Sequence, residues 1–139
     1  MADVSITPAN VLASSTATLD KTKVAGATIT AGEPVSLNAS NQWVPCANGT
    51  TLLLATAKGF ALNGASSGQP VAVVTADTNY TPGFTGTIGE TVWTSANAGG
   101  VTVTASDNGT TGQYIGILGV MTSTTTMIVN PTICTAAHA

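Results

Sequence analysis

Short apolar runs separated by breaks rich in glycine, asparagine and serine recur along the whole chain. Residues 59–74, GFALNGASSGQPVAVV, show the pattern most clearly. An apolar run at Gly59, Phe60, Ala61 and Leu62 meets a polar turn over residues 63–69, and Pro70 opens a second run. That is the pattern of a β-hairpin. Elsewhere Val35 and Leu37 alternate with Ser36 and Asn38, and Val101 and Val103 alternate with Thr102 and Thr104. Side chains two residues apart share one face of a strand, so these are half-buried strands. Further strands are expected over residues 28–30, 42–45, 52–55, 91–94, 114–121 and 126–129, with turns at 31–33, 38–41, 48–49, 89–90, 97–100 and 107–109. Strands joined by turns this short are mostly antiparallel. The stretch 75–83, TADTNYTPG, reads as a loop.

The pattern is stated twice. Gly59 falls on Gly116 at an offset of 57 (116 − 59), and the same offset carries GEPV at 32–35 onto GETV at 89–92. It also carries Val44 onto Val101, and Val71 with Ala72 onto Ile128 with Val129. Two related half-units, residues 26–82 and 83–134, therefore make up a single β domain over 26–139. Residues 1–25 lie outside the duplication. There Val4 and Ile6 alternate with Asp3 and Ser5, Pro8 stops any helix, and Val11 and Leu12 lead into a Ser/Thr/Ala run. This segment has few core anchors and is expected to be an extended N-terminal arm. The expected fold class is all-β, a barrel or two-sheet sandwich of two similar half-units.

Composition supports that fold class and narrows the function. Threonine alone supplies 26 of 139 residues, which favours strands. The length suits one domain with one real core. Only 6% of residues are charged, against 43% hydrophobic, so low charge does not signal disorder. With Lys21, Lys23 and Lys58 as the only basic side chains apart from one histidine, and a net charge of −3, there is no basic face for nucleic acid or for an anionic membrane. No run approaches the roughly 20 apolar residues of a membrane span. The start, MADVSITPANVLASS, lacks the basic and apolar parts of a signal peptide, so synthesis in the cytoplasm is expected. Cys46 and Cys134 do not make a disulfide framework, and two separate buried thiols are expected rather than a bridge.

Candidate chemistry is thin. His138 is the one histidine and lies next to the C-terminus, without the sheltered partner a general base needs. Asp3, Asp20, Glu33, Asp77, Glu90 and Asp107 fall in or beside expected turns or termini, where carboxylates have local roles. Glu33 and Glu90 are equivalent under the offset, which points to one turn role used twice. Two distant cysteines and one histidine give no zinc pattern, and Asp107 with Asn108 is too little for calcium. No phosphate-binding glycine loop is present. The Asn-x-Thr and Asn-x-Ser triplets, such as Asn48-Gly49-Thr50, are turn asparagines. Neither a catalytic site, a cofactor nor a metal is expected.

The tryptophans are more informative. If Val35 and Val92 point inward, alternation sends Trp93 to the opposite face with Ser36. Val44 and its equivalent Val101 then place Trp43 outward with Thr102. Each indole either caps a barrel end or loop, or is buried against a partner; as surface aromatics both are candidate subunit-interface anchors. The arm offers a second contact by strand addition, with Val4 and Ile6 as one row and Val11 and Leu12 as another anchor. The alternative is an arm folded back along its own barrel.

The strings GATITAGEPV, GFALNGASSGQPVAVVT, IGETVWTSANAGGVTV, IGILGV and TSTTTMIV resemble head-decoration (capsid cement) proteins of tailed bacteriophages, over about residues 4–129. ALNGASSGQPV and the Gly99-Gly100 turn are the most specific parts. The resemblance implies a small β-barrel or jelly-roll-like protein that forms homotrimers on the outer surface of the virion, where capsomers meet. Its implied partners are the major capsid protein and itself, its terminal arm reaches a neighbouring subunit, and its role is to stabilise the shell. The long 75–83 stretch departs from the family pattern. A receptor- or carbohydrate-binding β-module of a phage fibre or adhesin is the alternative class, with Trp43, Trp93 and Tyr80 as its available aromatics.

Overall fold

In each half of the chain the Gly-Glu dipeptide closes the same turn. Gly32 and Gly89 take φ values of 91° and 86°, a left-handed conformation that glycine adopts without steric cost. The Glu33 N–H donates to the Thr30 carbonyl at 3.2 Å, and the Glu90 N–H to the Thr87 carbonyl at 3.1 Å. Each carboxylate then reaches back: Glu33 accepts the Thr30 N–H at 2.6 Å, and Glu90 accepts the Thr87 N–H at 3.0 Å. The two acids are local braces, one per half.

The computed structural model describes residues 3–103 and 111–133. It is 41% strand and 6% helix, an all-β fold. After a single 3-10 turn at Pro8–Asn10 come β1 (Val11–Leu12), β2 (Thr18–Asp20), β3 (Pro34–Leu37), β4 (Trp43–Pro45), the one-turn helix α1 (Leu52–Ala55), β5 (Gly59–Ala61) and β6 (Val73–Pro82). The second half supplies β7 (Thr91–Thr94), β8 (Val101–Thr102), β9 (Gly116–Met121) and β10 (Met127–Ile133). All named pairings are antiparallel. The sheet curls into a half-barrel with the order β4-β3-β5-β6-β10-β9-β7-β8. That order is the offset written in space. β7 starts 57 residues after β3, β9 starts 57 after β5, and the two four-strand runs meet where β6 pairs β10.

Three expectations about elements are corrected. Residues 75–83 are not a loop, because most of them belong to the ten-residue strand β6. β6 is held along its length: β5 and β2 pair its first part, and β10 and β1 its second. Residues 52–55 form α1 instead of a strand. Leucine is a good helix former without β-branching, and the Thr56 hydroxyl closes the turn on the Leu52 carbonyl at 2.6 Å. The N-terminal segment, finally, is not a free arm. β1 pairs Thr81 and Pro82, β2 pairs Val73, Val74 and Ala76, and the Val4 N–H reaches the Val101 carbonyl at 2.8 Å. It is a strap along its own barrel.

Two apolar clusters fill the interior. The larger contains Phe60, Tyr80, Val92, Leu118, Met121 and Met127, and the smaller contains Ile29, Val35, Trp43, Ala61, Val71 and Val73. Equivalent residues thus lie in different clusters, Val35 opposite Val92 and Ala61 opposite Leu118. In the first half both sheet faces are covered. Residues 24–29 and the 65–71 turn cover one of them, with Ala25 bridging Trp43 and Ile29 bridging Ala65. Trp43 is 1% exposed, so its expected outward position and interface role are overturned. A strand with core on both sides gives alternation no polar face to mark.

Candidate binding surface

The outer face of β7, β9 and β10 carries the apolar side chains that the interior leaves over. Trp93 pairs directly with Ile117, and Val120 with both Thr91 and Ile128. Their neighbours Val92, Leu118, Met121, Met127 and Val129 all point into the core. Val120 and Ile128 are each 39% exposed, and Trp93 and Ile117 are half-buried. Ile88, 69% exposed, sits in the turn beside them, where the Gly89 N–H bonds the Met121 carbonyl at 2.9 Å. In the first half the matching position to Trp93 is Ser36, which is buried under α1 and donates to the Leu54 carbonyl at 2.8 Å. The duplicated sheet therefore covers this face in one half and leaves it partly open in the other. Cross-strand apolar pairs on a rigid sheet form a preorganised contact surface.

The predicted arm contacts are seated differently from expectation. Val4, Ile6 and Val11 are partly buried against the larger cluster. Ile6 and Val11 lie in a notch at Gly32 and Gly83, both at positive φ, where an added Cβ would stand 2.6 Å from Ile6 Cγ2 and 2.7 Å from the Thr7 carbonyl respectively. These three residues anchor the strap to its own chain and are not a free row of contacts. Leu12 alone points away, at 66% exposure.

A second apolar feature was not expected from the sequence. Leu52, Leu53 and Leu54 of α1 are 38%, 46% and 42% exposed. Leu54 lines an open cleft of about 460 Å³ together with Val44, Pro45, Ala47, Thr51 and Asn38. Three consecutive leucines after Thr51 were the available signal, since such a run has neither β-branching nor alternation. The cleft floor is firm. The Asn48 N–H bonds the Ser95 carbonyl at 2.7 Å, and the Gly99 N–H bonds the Cys46 carbonyl at 2.8 Å. The buried Thr94 hydroxyl donates to Asn48 Oδ1 and accepts the Gly116 N–H at 3.0 Å.

Ionisable groups are dispersed over the described residues. Among the described residues no group of three or more His, Cys, Asp or Glu could hold a metal. The Lys23 ammonium pairs with Asp20 at 2.7 Å and lies 5.5 Å from the Trp43 ring centroid. Its hydrogen bond, with those from Thr22, lowers the Asp20 carboxyl to about 2. Burial pushes the free Cys46 thiol up to about 12, which makes it unreactive. Burial also raises the Tyr80 hydroxyl, helped by the charge of Asp77. Tyr80 is fully buried and tilted against Phe60, with ring centroids 4.9 Å apart, so it is not a surface aromatic. Cys134, His138 and the turn at 107–109 lie outside the described residues.

Comparison with protein-family models, with curated proteins and with solved structures finds no match in any of the three.

Proposed function

We propose that this chain is a structural virion protein, a capsid-decoration subunit of a tailed bacteriophage. It binds the outside of the shell at capsomer junctions, associates with itself as a homotrimer and stabilises the lattice. The observation that carries the reading is the outward apolar face of Trp93, Ile117, Val120 and Ile128 on paired strands, in a chain whose only Lys or Arg residues are three lysines. Such a face suits a broad, uncharged protein surface far better than a phosphate backbone or a small polar substrate. The sequence blocks that resemble decoration proteins support the same role. A carbohydrate-binding module is less well supported, because two of the three aromatics expected to serve it, Trp43 and Tyr80, are buried and only Trp93 of the three is not.

The test is direct. Purified protein is incubated with undecorated shells, pelleted, and imaged by electron microscopy. Ordered density on the outer surface at saturable stoichiometry is the expected result. Shells that stay bare at micromolar protein, or saturable binding to immobilised glycans instead, would overturn it.

A further inference from the structure

Asp77 is the only charged residue of β6 and is 4% exposed. It lies where the strap's pairing with β6 is interrupted, between Leu12 opposite Thr81 and Thr18 opposite Ala76. Ser14 fills that break. Its N–H donates to Asp77 Oδ2 at 2.8 Å, its hydroxyl donates to Oδ1, and the Asn79 N–H donates to Oδ1 at 3.0 Å. Hydrogen bonds to an ionised carboxylate are about twice as strong as neutral ones. The rest of the strap is lightly held, since no residue from 3 to 24 is buried. Its other anchors are the Ile6 and Val11 notch, the packing of Val4 and Ala17 on the larger cluster, two short strands, and the Val4 and Thr7 N–H bonds to the Val101 and Gly83 carbonyls. The Thr75 hydroxyl also donates to the Thr18 carbonyl at 3.3 Å, and at the far end from Asp77 the Asn97 amide donates to the Asp3 carboxylate at 3.0 Å. The sheet of β3 to β10 is held by its own pairings and by the Asn48, Thr94 and Gly116 bonds.

We propose that the strap, residues 3–20, is a separately opening unit latched by the Asp77 carboxylate, and that protonation of this one group releases it while the barrel stays folded. The inference does not depend on the proposed function. The groups facing Asp77 leave it as the site of titration. β10 carries no ionisable residue from Met127 to Ile133, and neither β1 nor β5 carries one. On β2, Asp20 lies at the far end opposite Val73 and is paired with Lys23. On β6 itself, burial keeps Tyr80 neutral. Burial alone would raise the Asp77 carboxyl, but the bonds from Ser14, Asn79 and Thr78 outweigh it and hold it below the usual carboxylate range. A depressed folded-state value means the latch is fully effective above the unfolded-chain value of about 3.9 and is lost as pH falls from there through the depressed folded value.

The test is amide hydrogen exchange on the full chain from neutral to acid pH, expressed as protection factors to remove the intrinsic pH dependence. In the wild type, strap amides at Val4, Thr7 and Leu19 should lose protection progressively as pH falls below about 4. Amides at Leu118 and Val129 should keep theirs. Asp77→Asn should show the acid-level strap protection already at pH 7, with no further step. Ser14→Ala, which touches only the strap side, should lose part of the protection at pH 7, again confined to the strap. Strap and barrel opening together in acid, an unchanged acid step in Asp77→Asn, or a barrel that fails to fold in Asp77→Asn or Ser14→Ala would overturn the proposal.

Discussion

Thr94 and Tyr80 are both buried hydroxyls with opposite energetic signs. The Thr94 oxygen accepts from Gly116 and donates to Asn48, joining the 46–50 loop of one half to β7 and β9 of the other. Thr94→Val keeps the shape but removes both bonds from the interior and leaves the Gly116 N–H without its hydroxyl acceptor, and should cost about 2 kcal/mol. A urea midpoint that falls with an unchanged slope would show it; an unmoved midpoint would mean that this network is not holding the halves together. The Tyr80 hydroxyl is buried with no hydrogen-bond partner among the described residues. Removing an unpaired buried polar group relieves its desolvation, so Tyr80→Phe should raise stability by about 1 kcal/mol. A clear loss of stability in the same assay would show that the oxygen is satisfied in solution.

Among the elements, the repeated Gly-Glu turn was the most legible in sequence and behaves most simply. Both acids brace a backbone N–H, but Glu33 is half-buried and its carboxyl is raised by desolvation, with the Thr30 bond opposing the rise. A raised acid destabilises the fold at pH above its folded value and ceases to do so once protonated. Glu33→Gln retains an acceptor for Thr30 and should therefore be somewhat more stable than wild type at pH 7. Thermal melts across pH should show that advantage shrinking as pH falls through the raised folded-state value and gone by the usual glutamate value, and an advantage independent of pH would exclude the mechanism. The hairpins around this turn were readable because β3 and β7, like β5 and β9, keep the 57-residue spacing. β6 was not, since Asp77, Asn79 and Pro82 are poor strand formers and its order comes largely from β1, β2 and β10, three partner strands distant in sequence. α1 was hidden by the assumption that an apolar run in a β chain is a strand. The strap was misjudged because its Ile6 and Val11 seat is made by Gly32 and Gly83, whose proximity no local pattern encodes.

At the scale of the whole molecule, duplication and packing work against each other. Two similar sheets meeting at β6 and β10 present opposite faces to the interior, as Val35 and Val92 show by lying in different clusters. Residues 24–29, the 65–71 turn and α1 cover the first half on both sides. The second half is left with Trp93, Ile117, Val120 and Ile128 on its outer face. Of the two indoles expected at an interface, only Trp93 remains available for that role. If the face is the contact by which copies of the chain associate, its chemistry fixes how the association responds to conditions. No charged side chain takes part, so raising ionic strength from about 0.05 to 0.5 M, well past full screening of surface charge, should leave the affinity nearly unchanged. Trp93→Ala should weaken association by about 2 kcal/mol or more, as truncating a central aromatic anchor does. Ile128→Glu should abolish it, because a carboxylate would have to be desolvated opposite Val120. Sedimentation equilibrium of the three proteins at matched concentrations reads all of this. A wild type that is monomeric at micromolar concentration would refute self-association, and a trimer that Trp93→Ala and Ile128→Glu leave intact would move the contact elsewhere, with the leucines of α1 as the next apolar surface to test.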